Sequence, residues 1–377
     1  MCFLNSSISA PACCCSRSRI LAAADRALQA PCLSITQQRA PLSEGGPHDF
    51  YSNGDYWWPN PDTPDGLPYI QRDGETNPEN FTAHRLLLRR MRTHVSALAA
   101  AFRLTGERAY AEKACRLLRV FFVDEATRMN PNLLYAQAIP GVCAGRGIGI
   151  IDTLHLIDIP FAVKALEEAQ AIDAGLCQSL RSWFNSYLDW ILTHPQGQEE
   201  QNAKNNHSVA CFVQLAAFSL FAGRKEVTAL CRQRYREIFL PGQMAADGSF
   251  PQELRRTKPY SYSIFVLDNM VTLCQLLSTP EENLWAYTTP DGKNISLGLD
   301  YLLPFLQDKT RWPYPPDVMH FEAWPARASF MVFAGAALRR EDYLQLYAAL
   351  PDKPEDEEVL RNLAVRQPML YFGDISA

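Results

Sequence analysis

The stretch Phe102-Arg-Leu-Thr-Gly-Glu-Arg-Ala-Tyr110 returns, slightly altered, as Phe218-Ser-Leu-Phe-Ala-Gly-Arg-Lys-Glu226. A looser echo is Phe333-Ala-Gly-Ala-Ala-Leu-Arg-Arg-Glu-Asp-Tyr343. In each, an apolar run at helical spacing ends in a short turn, and a second helical run follows. One hairpin of this kind cannot bury its apolar face alone, but stacked copies can. The repeat therefore predicts an all-α chain, an α/α toroid or incomplete barrel of about six to seven helical hairpins with a cleft at one end.

Outward from these hairpins, helices are expected over residues 18–29, 81–104, 109–122, 180–193, 209–221 and 264–277. No strand-rich segment and no linker stands out, so residues 18–377 read as a single domain. Residues 1–17 read as an atypical, disordered leader. It has neither a basic start nor a continuous apolar core, and so makes a poor signal peptide. A lipoprotein-like processing site at Cys13 is the weaker alternative. Between residues 30 and 80 lies a long stretch rich in Pro, Gly, Asp and Asn, which favour turns. It also carries Tyr51, Tyr56, Trp57, Trp58 and Tyr69. So aromatic a loop is expected to pack over the cleft, with Trp57 and Trp58 as stacking platforms for sugar rings or as pins holding the loop to the body. Arg85, Arg89 and Arg92 share one helical face, expected to be a solvated outer one, with the basic lining of a groove as the weaker alternative.

Composition narrows the function. A net charge of −5 on 377 residues argues against general nucleic-acid binding. Any polyanionic partner must then meet a local basic patch. No apolar run reaches membrane-spanning length. The 11 cysteines are odd in number, show no CxxC, and mostly sit inside apolar helical runs, which reads as reduced thiols. No spacing supports a metal site, and no cofactor motif is present. The Gly-rich turn around Arg146 lacks the preceding strand of a nucleotide-binding fingerprint.

Two polar connections carry the chemistry. Gln198-Glu-Glu-Gln-Asn-Ala-Lys-Asn-Asn-His207-Ser208 enters the apolar run at 209–221, with Asn205 as its expected cap. Asp247-Gly-Ser-Phe-Pro-Gln-Glu-Leu-Arg-Arg256-Thr-Lys-Pro-Tyr260-Ser-Tyr262-Ser263 enters the run at 264–277. Together they bring Asn, His, Arg and Tyr, the set that β-elimination on a uronic acid requires. One group neutralises the carboxylate, a base takes the C5 proton, and an acid protonates the O4 leaving group.

The chain resembles the alginate-lyase-type polysaccharide lyases, nearest to polysaccharide lyase family 38 and more distantly to the family 5 alginate lyases. The resemblance rests on Asn205-Asn206-His207 and on Glu253-Leu-Arg-Arg256-Thr257 with Tyr262. It is extended by Tyr135-Ala-Gln137, Gly145-Arg146-Gly147 and Gly54-Asp-Tyr-Trp57-Trp58-Pro59. It implies a periplasmic or secreted, monomeric enzyme acting on an anionic polyuronate, either alginate or glucuronan. It favours Arg256 over Arg255 as the carboxylate ligand and Tyr262 over Tyr260 as the proton carrier. It also brings Glu200 into the catalytic set, beside His207 or the substrate carboxylate. Asn205, Gln137, Tyr135, Arg146, Trp57, Trp58, Arg255 and Tyr260 are then expected substrate contacts. On mannuronate or glucuronate, Tyr262 can serve as base and acid in turn. On guluronate, where the proton and O4 lie on opposite faces, His207 would be the base.

Two other classes compete. A glycoside hydrolase on the same architecture would need two carboxylates facing one bond, and Asp152, Glu200, Asp247 and Glu253 are available. A non-catalytic polyuronate-binding protein would bind saccharide without cleaving it.

Overall fold

The computed structural model describes residues 9–351 and 356–375. Residues 1–8 of the expected leader lie outside the described residues. The chain falls into two compact units, Arg17–Asn202 on one side and Ala203–Ala377 with Met1–Ser16 on the other.

The unit Arg17–Asn202 contains helices α1 (Arg17–Gln29), α2 (Ala83–Thr105), α3 (Arg108–Phe122), α4 (Asp158–Glu168), α5 (Ala174–Thr193) and α6 (Pro195–Gln201). The α2–α3 hairpin is the first sequence repeat. Gly106 ends α2 with φ 71°, a left-handed cap, and a Cβ there would meet nothing within 4 Å. Glycine is therefore present for its backbone freedom and not for space. The long aromatic loop is ordered by short pairings. Tyr51–Asn53 runs parallel to Tyr135–Ala138, and Trp57–Trp58 runs antiparallel to Ile70–Gln71.

The expected solvated face of α2 is corrected here. Arg85 and Arg92 are only 4% and 2% exposed. Arg92 pairs with Asp158 at 3.1 Å and lies 2.7 Å from His155 Nδ1. Both arginines share their helical face with Leu88 and Val95, which are fully buried. Burying a guanidinium is costly unless it is paired, and here both find carboxylates.

The unit Ala203–Ala377 contains α7 (Asn206–Ala222), α8 (Lys225–Arg234), α9 (Leu240–Gln243), α10 (Pro251–Leu254), α11 (Pro259–Leu277), α12 (Ile295–Gln307), α13 (Ser329–Ala337), α14 (Glu341–Ala349) and α15 (Glu357–Asn362). The α7–α8 hairpin turns at Gly223, φ 76°, just as α2–α3 turns at Gly106. The third echo, α13–α14, has no glycine at the turn, and Arg339 takes the left-handed position with φ 56°. Every residue of α11 is buried, including Asp268, Asn269 and Gln275. Ser9–Ala10 pairs in parallel with Asp374–Ile375.

Two boundaries differ from the sequence reading. The polar run before α7 is not a plain connection, because part of it forms α6. Helix α11 begins at Pro259, before the apolar run. Proline at the first helical position gives up an N–H that a helix leaves unpaired in any case. Tyr260 and Tyr262 therefore lie in a helical first turn. No described helix is long and apolar enough to cross a membrane, and none of the ten described cysteines forms a disulfide.

Candidate active site

In the unit Ala203–Ala377, the site residues expected from the sequence lie at two helix starts, with Arg256 just before the second. Asn205 caps α7, its Oδ1 accepting from the His207 N–H at 3.4 Å. That leaves Asn206 and His207 in the first turn. Asn206 is buried, and His207 is half-buried. Asn206 is gripped by Glu253 of α10. Its backbone N–H donates to Glu253 Oε1 at 2.8 Å, and its Nδ2 donates to Oε2 at 2.6 Å. Glu253 is 1% exposed. Burial pushes its carboxyl above the ordinary range, while the two Asn206 donors, Arg256 and His207 pull it back down.

Three residues after Glu253, Arg256 turns back, with its N–H donating to the Glu253 carbonyl at 3.1 Å. Its guanidinium carbon lies 4.8 Å from the centre of the Tyr262 ring. A cation over an aromatic face is attracted by the ring quadrupole, which fixes the two side chains relative to each other. Tyr262 is 8% exposed. Arg255 is exposed. Asn206, His207, Arg256 and Tyr262 are thus joined through Glu253 and one stacked pair.

The first turn of α11 has its own anchor. Asp317 accepts from the N–H groups of Tyr260 at 2.8 Å and Ser261 at 3.0 Å. The preceding Lys258 is buried and paired with Glu358 at 3.2 Å. Tyr260 is fully buried, its hydroxyl donating to the Phe305 carbonyl at 2.9 Å. Its ring packs on Trp312 and Phe321. The expected sugar contact at Tyr260 therefore gives way to a core role, because both its ring and its hydroxyl are occupied.

A second polar cluster lies within the unit Arg17–Asn202. Arg146 donates from Nε to the Gln137 carbonyl and from Nη2 to Gln137 Oε1, both at 3.1 Å. Its guanidinium carbon lies 5.8 Å from the centre of the Trp57 ring. Burial draws the Arg146 guanidinium below its ordinary range, and Cys143, Asp152, Glu199 and Glu200 pull it back up. Glu200, on α6, is itself 2% exposed. Gln137 has φ 50°, a left-handed backbone that a non-glycine residue adopts only when held. Its N–H donates to Ser52 Oγ at 2.8 Å, and Ser52 donates in turn to Asp152 Oδ2 at 2.5 Å. Asp152 also accepts from Arg85 Nε at 3.0 Å, and Arg85 pairs with Asp55 as well. Trp58 is half-buried, its Nε1 donating to the Glu75 carbonyl at 3.0 Å and its ring under Arg72. The Tyr135 ring fills the space where a Cβ on Gly45 would collide with it.

Sequence reading missed the holding residues. Glu253 and Asp55 stand inside motifs quoted for the resemblance, Glu253 read only as a possible hydrolase acid and Asp55 with no role, and Ser52 and Asp317 have no role in the sequence reading. A pairing between residues 206 and 253 leaves no local signal. The Pro259 helix start was a usable one for α11.

Helical hairpins, with Asn and His at one helix start and Arg and Tyr at or just before another, are what a helical polysaccharide lyase would need. The alginate lyase family model matches residues 34–312, and the chain belongs to that family. A solved alginate lyase from Bacteroides ovatus is 32% identical, with 95% of this chain and 93% of that one covered and a TM-score of 0.81. Alginate lyase A1-III from Sphingomonas species A1 is 15% identical, covering 89% of this chain and 91% of its own, with a TM-score of 0.57. A tyrosine-to-phenylalanine variant of A1-III complexed with a tetrasaccharide is 13% identical, covering 90% and 97%, with a TM-score of 0.54. No curated protein sequence matches. The fold class is the all-α, α/α-toroid class of these lyases. The protein is a polysaccharide lyase.

Proposed function

We propose that the protein cleaves β-1,4-linked polyuronate, either alginate rich in mannuronate or glucuronan, by β-elimination at Tyr262. The observation that carries this reading is the Arg256 guanidinium stacked 4.8 Å from the Tyr262 ring. The same Arg256 is tied through Glu253 to Asn206 at the start of α7. A carboxylate binder and a proton carrier are thus built as one piece.

Arg256 and the Asn206 amide draw charge from the substrate C6 carboxylate, which makes the C5 proton acidic enough to remove. On mannuronate or glucuronate, Tyr262 takes that proton as the base. The electron pair left at C5 forms the C4–C5 double bond as the C4–O4 bond breaks. Tyr262 then returns a proton to the departing O4. On guluronate, His207 takes the proton and Tyr262 acts as the acid. Arg255, exposed beside Arg256, supplies a further positive charge for a polyanion. In the other unit, Arg146, Gln137, Trp57, Trp58, Tyr135 and Glu200 have the chemistry of a uronate-ring binder. They offer a cation, an amide, aromatic faces and an acid.

The hydrolase reading loses ground on its carboxylates. Glu253 is occupied by Asn206, and Asp152 by Arg85 and Ser52. Neither is placed as a free acid facing a glycosidic bond.

The test is a panel of polymannuronate, polyguluronate, glucuronan and hyaluronan, followed by the ultraviolet absorbance of unsaturated uronate. Rising absorbance on polymannuronate or glucuronan is expected. New reducing ends without absorbance would overturn elimination, and activity on hyaluronan alone would overturn the substrate class.

A further inference from the structure

The buried carboxylate of Glu253 has no direct part in the elimination described above, yet its two oxygens are both spent on one residue. Oε1 takes the Asn206 backbone N–H at 2.8 Å, and Oε2 takes its side-chain Nδ2 at 2.6 Å. The backbone contact alone would be a helix cap, satisfying an N–H that the start of α7 leaves unpaired. The second contact does more, because it reaches the functional amide.

An Asn amide has two ends of nearly equal size and opposite character. Its oxygen only accepts, and its NH2 only donates. Turned one way, it offers a substrate carboxylate an N–H. Turned by half a revolution, it offers an oxygen, which repels the same carboxylate. Shape scarcely distinguishes the two states, so a chemical partner must choose between them. A carboxylate can only accept, and Glu253 therefore admits Nδ2 and excludes Oδ1. One N–H is used in the grip, and the other points away from Glu253. The same charge lies near Arg256 and His207, the two groups besides Asn206 that draw the Glu253 carboxyl toward its charged form.

We infer that Glu253 is a positioning residue of the elimination: it locks the Asn206 amide with its NH2 group in the donor orientation that neutralises the substrate carboxylate. This rests on the polyuronate-lyase reading and adds a role that acts entirely through Asn206. Charge-assisted contacts of this kind are shorter and stronger than neutral ones, which suits a part that must not turn over during a catalytic cycle.

The test is a double-mutant cycle on the polyuronate that the native enzyme cleaves fastest. Native protein, Glu253→Gln, Asn206→Ala and the double variant are compared by kcat, KM and thermal midpoint. A Gln at 253 carries an NH2 of its own, so the amide of Asn206 is free to take either orientation. Expected for Glu253→Gln is a loss of about 10–100-fold in kcat with KM within about threefold, since the donor matters most as charge builds in the transition state. The double variant should then be no worse than Asn206→Ala within about twofold, because the lock has nothing left to hold. If the two losses multiply, or if Glu253→Gln keeps native kcat, the inference is overturned while the lyase reading stands. If the native protein cleaves no polyuronate, the lyase reading and the inference fall together. Should Glu253→Gln fail to fold, Glu253→Asp takes its place in the same cycle. It keeps the accepting charge but withdraws it by one methylene, and the same non-additivity is expected.

Discussion

Helices α7 and α11 begin alike and are held differently. Each has its first turn pinned by an acid from elsewhere in the chain, Glu253 for α7 and Asp317 for α11. Asp317 gives both oxygens to backbone N–H groups. Glu253 gives one to the backbone and one to a side chain. The first arrangement fixes where a helix starts, and the second also holds a side-chain amide. The residues that must present chemistry follow the same division. Asn206 needs its orientation chosen because an amide has two ends. Tyr262 has one polar end, and the Arg256 guanidinium lies over its ring. Asp317 should therefore behave as scaffold and Glu253 as part of the reaction.

Substitutions can break or sharpen that division. The largest effect is expected from Arg256→Ala, which removes both the carboxylate ligand and the support under Tyr262. A loss of about 10³–10⁴-fold in kcat/KM is expected, with KM raised as well as kcat lowered, because the substrate carboxylate is charged in the ground state and more so in the transition state. Steady-state rates of unsaturated-uronate formation would show it. A variant changed in kcat alone would confine Arg256 to the transition state.

Asp317→Ala should chiefly cost stability. It strips two buried N–H groups of their acceptor at the start of α11, worth about 2–3 kcal/mol. Urea unfolding should show the loss, while the folded variant keeps kcat within about threefold. A rate collapse in a fully folded variant would mean that Asp317 belongs to the reaction as Glu253 does.

Asp268 provides a pH-dependent version of the same scaffold. Buried in α11, it accepts from the Ser329 hydroxyl at 2.7 Å and the Phe330 N–H at 2.8 Å. Burial raises its carboxyl from 3.8 to about 6. The folded value lies above the unfolded one, so its stabilisation is complete below pH 3.8 and is lost as pH rises through about 6. Asp268→Asn, which does not titrate, should gain on the native protein between pH 4 and pH 7, by up to about 3 kcal/mol at roughly 1.4 kcal/mol per pH unit. A stability difference that is flat across this range would contradict the assignment.

The smallest effect is expected at the third hairpin. Arg339 holds with φ 56° the left-handed turn that glycine takes in the other two. Arg339→Gly should raise stability by about 0.5–1 kcal/mol, read as a small rise in thermal midpoint. A fall would mean that the Arg339 side chain contributes more than its backbone costs.

The hairpins were legible because each is local. Gly106 and Gly223 end helices within a few residues of the apolar runs they terminate, and period and turn chemistry agree. Asn206, His207 and the Arg and Tyr residues of the second connection could be named as candidates by residue type, with Arg256 over Arg255 and Tyr262 over Tyr260 favoured by the family resemblance alone. Their holders could not. Glu253 meets Asn206, and Asp317 meets Tyr260, across sequence separations of 47 and 57 residues, and no periodicity encodes such pairings. Arg85 and Arg92 were misjudged for a related reason. Their spacing suggested a charged stripe, whereas the fully buried Leu88 and Val95 on the same face placed that stripe inward, beside Asp55, Asp152 and Asp158.

The central claim is that Tyr262 moves the proton while Arg256 and Asn206 hold the carboxylate. It is tested most directly by Tyr262→Phe, with kcat and oligouronate affinity measured on the same sample and Tyr260→Phe alongside. Removing one oxygen leaves the ring under Arg256, so calorimetric affinity should stay within about threefold of native. Turnover should fall by about 10²–10⁴-fold, toward the upper end for a residue acting as both base and acid. Tyr260→Phe, which loses only a buried bond to the Phe305 carbonyl, should keep most of its rate. Near-native turnover in Tyr262→Phe, with collapse in a folded Tyr260→Phe, would contradict the claim.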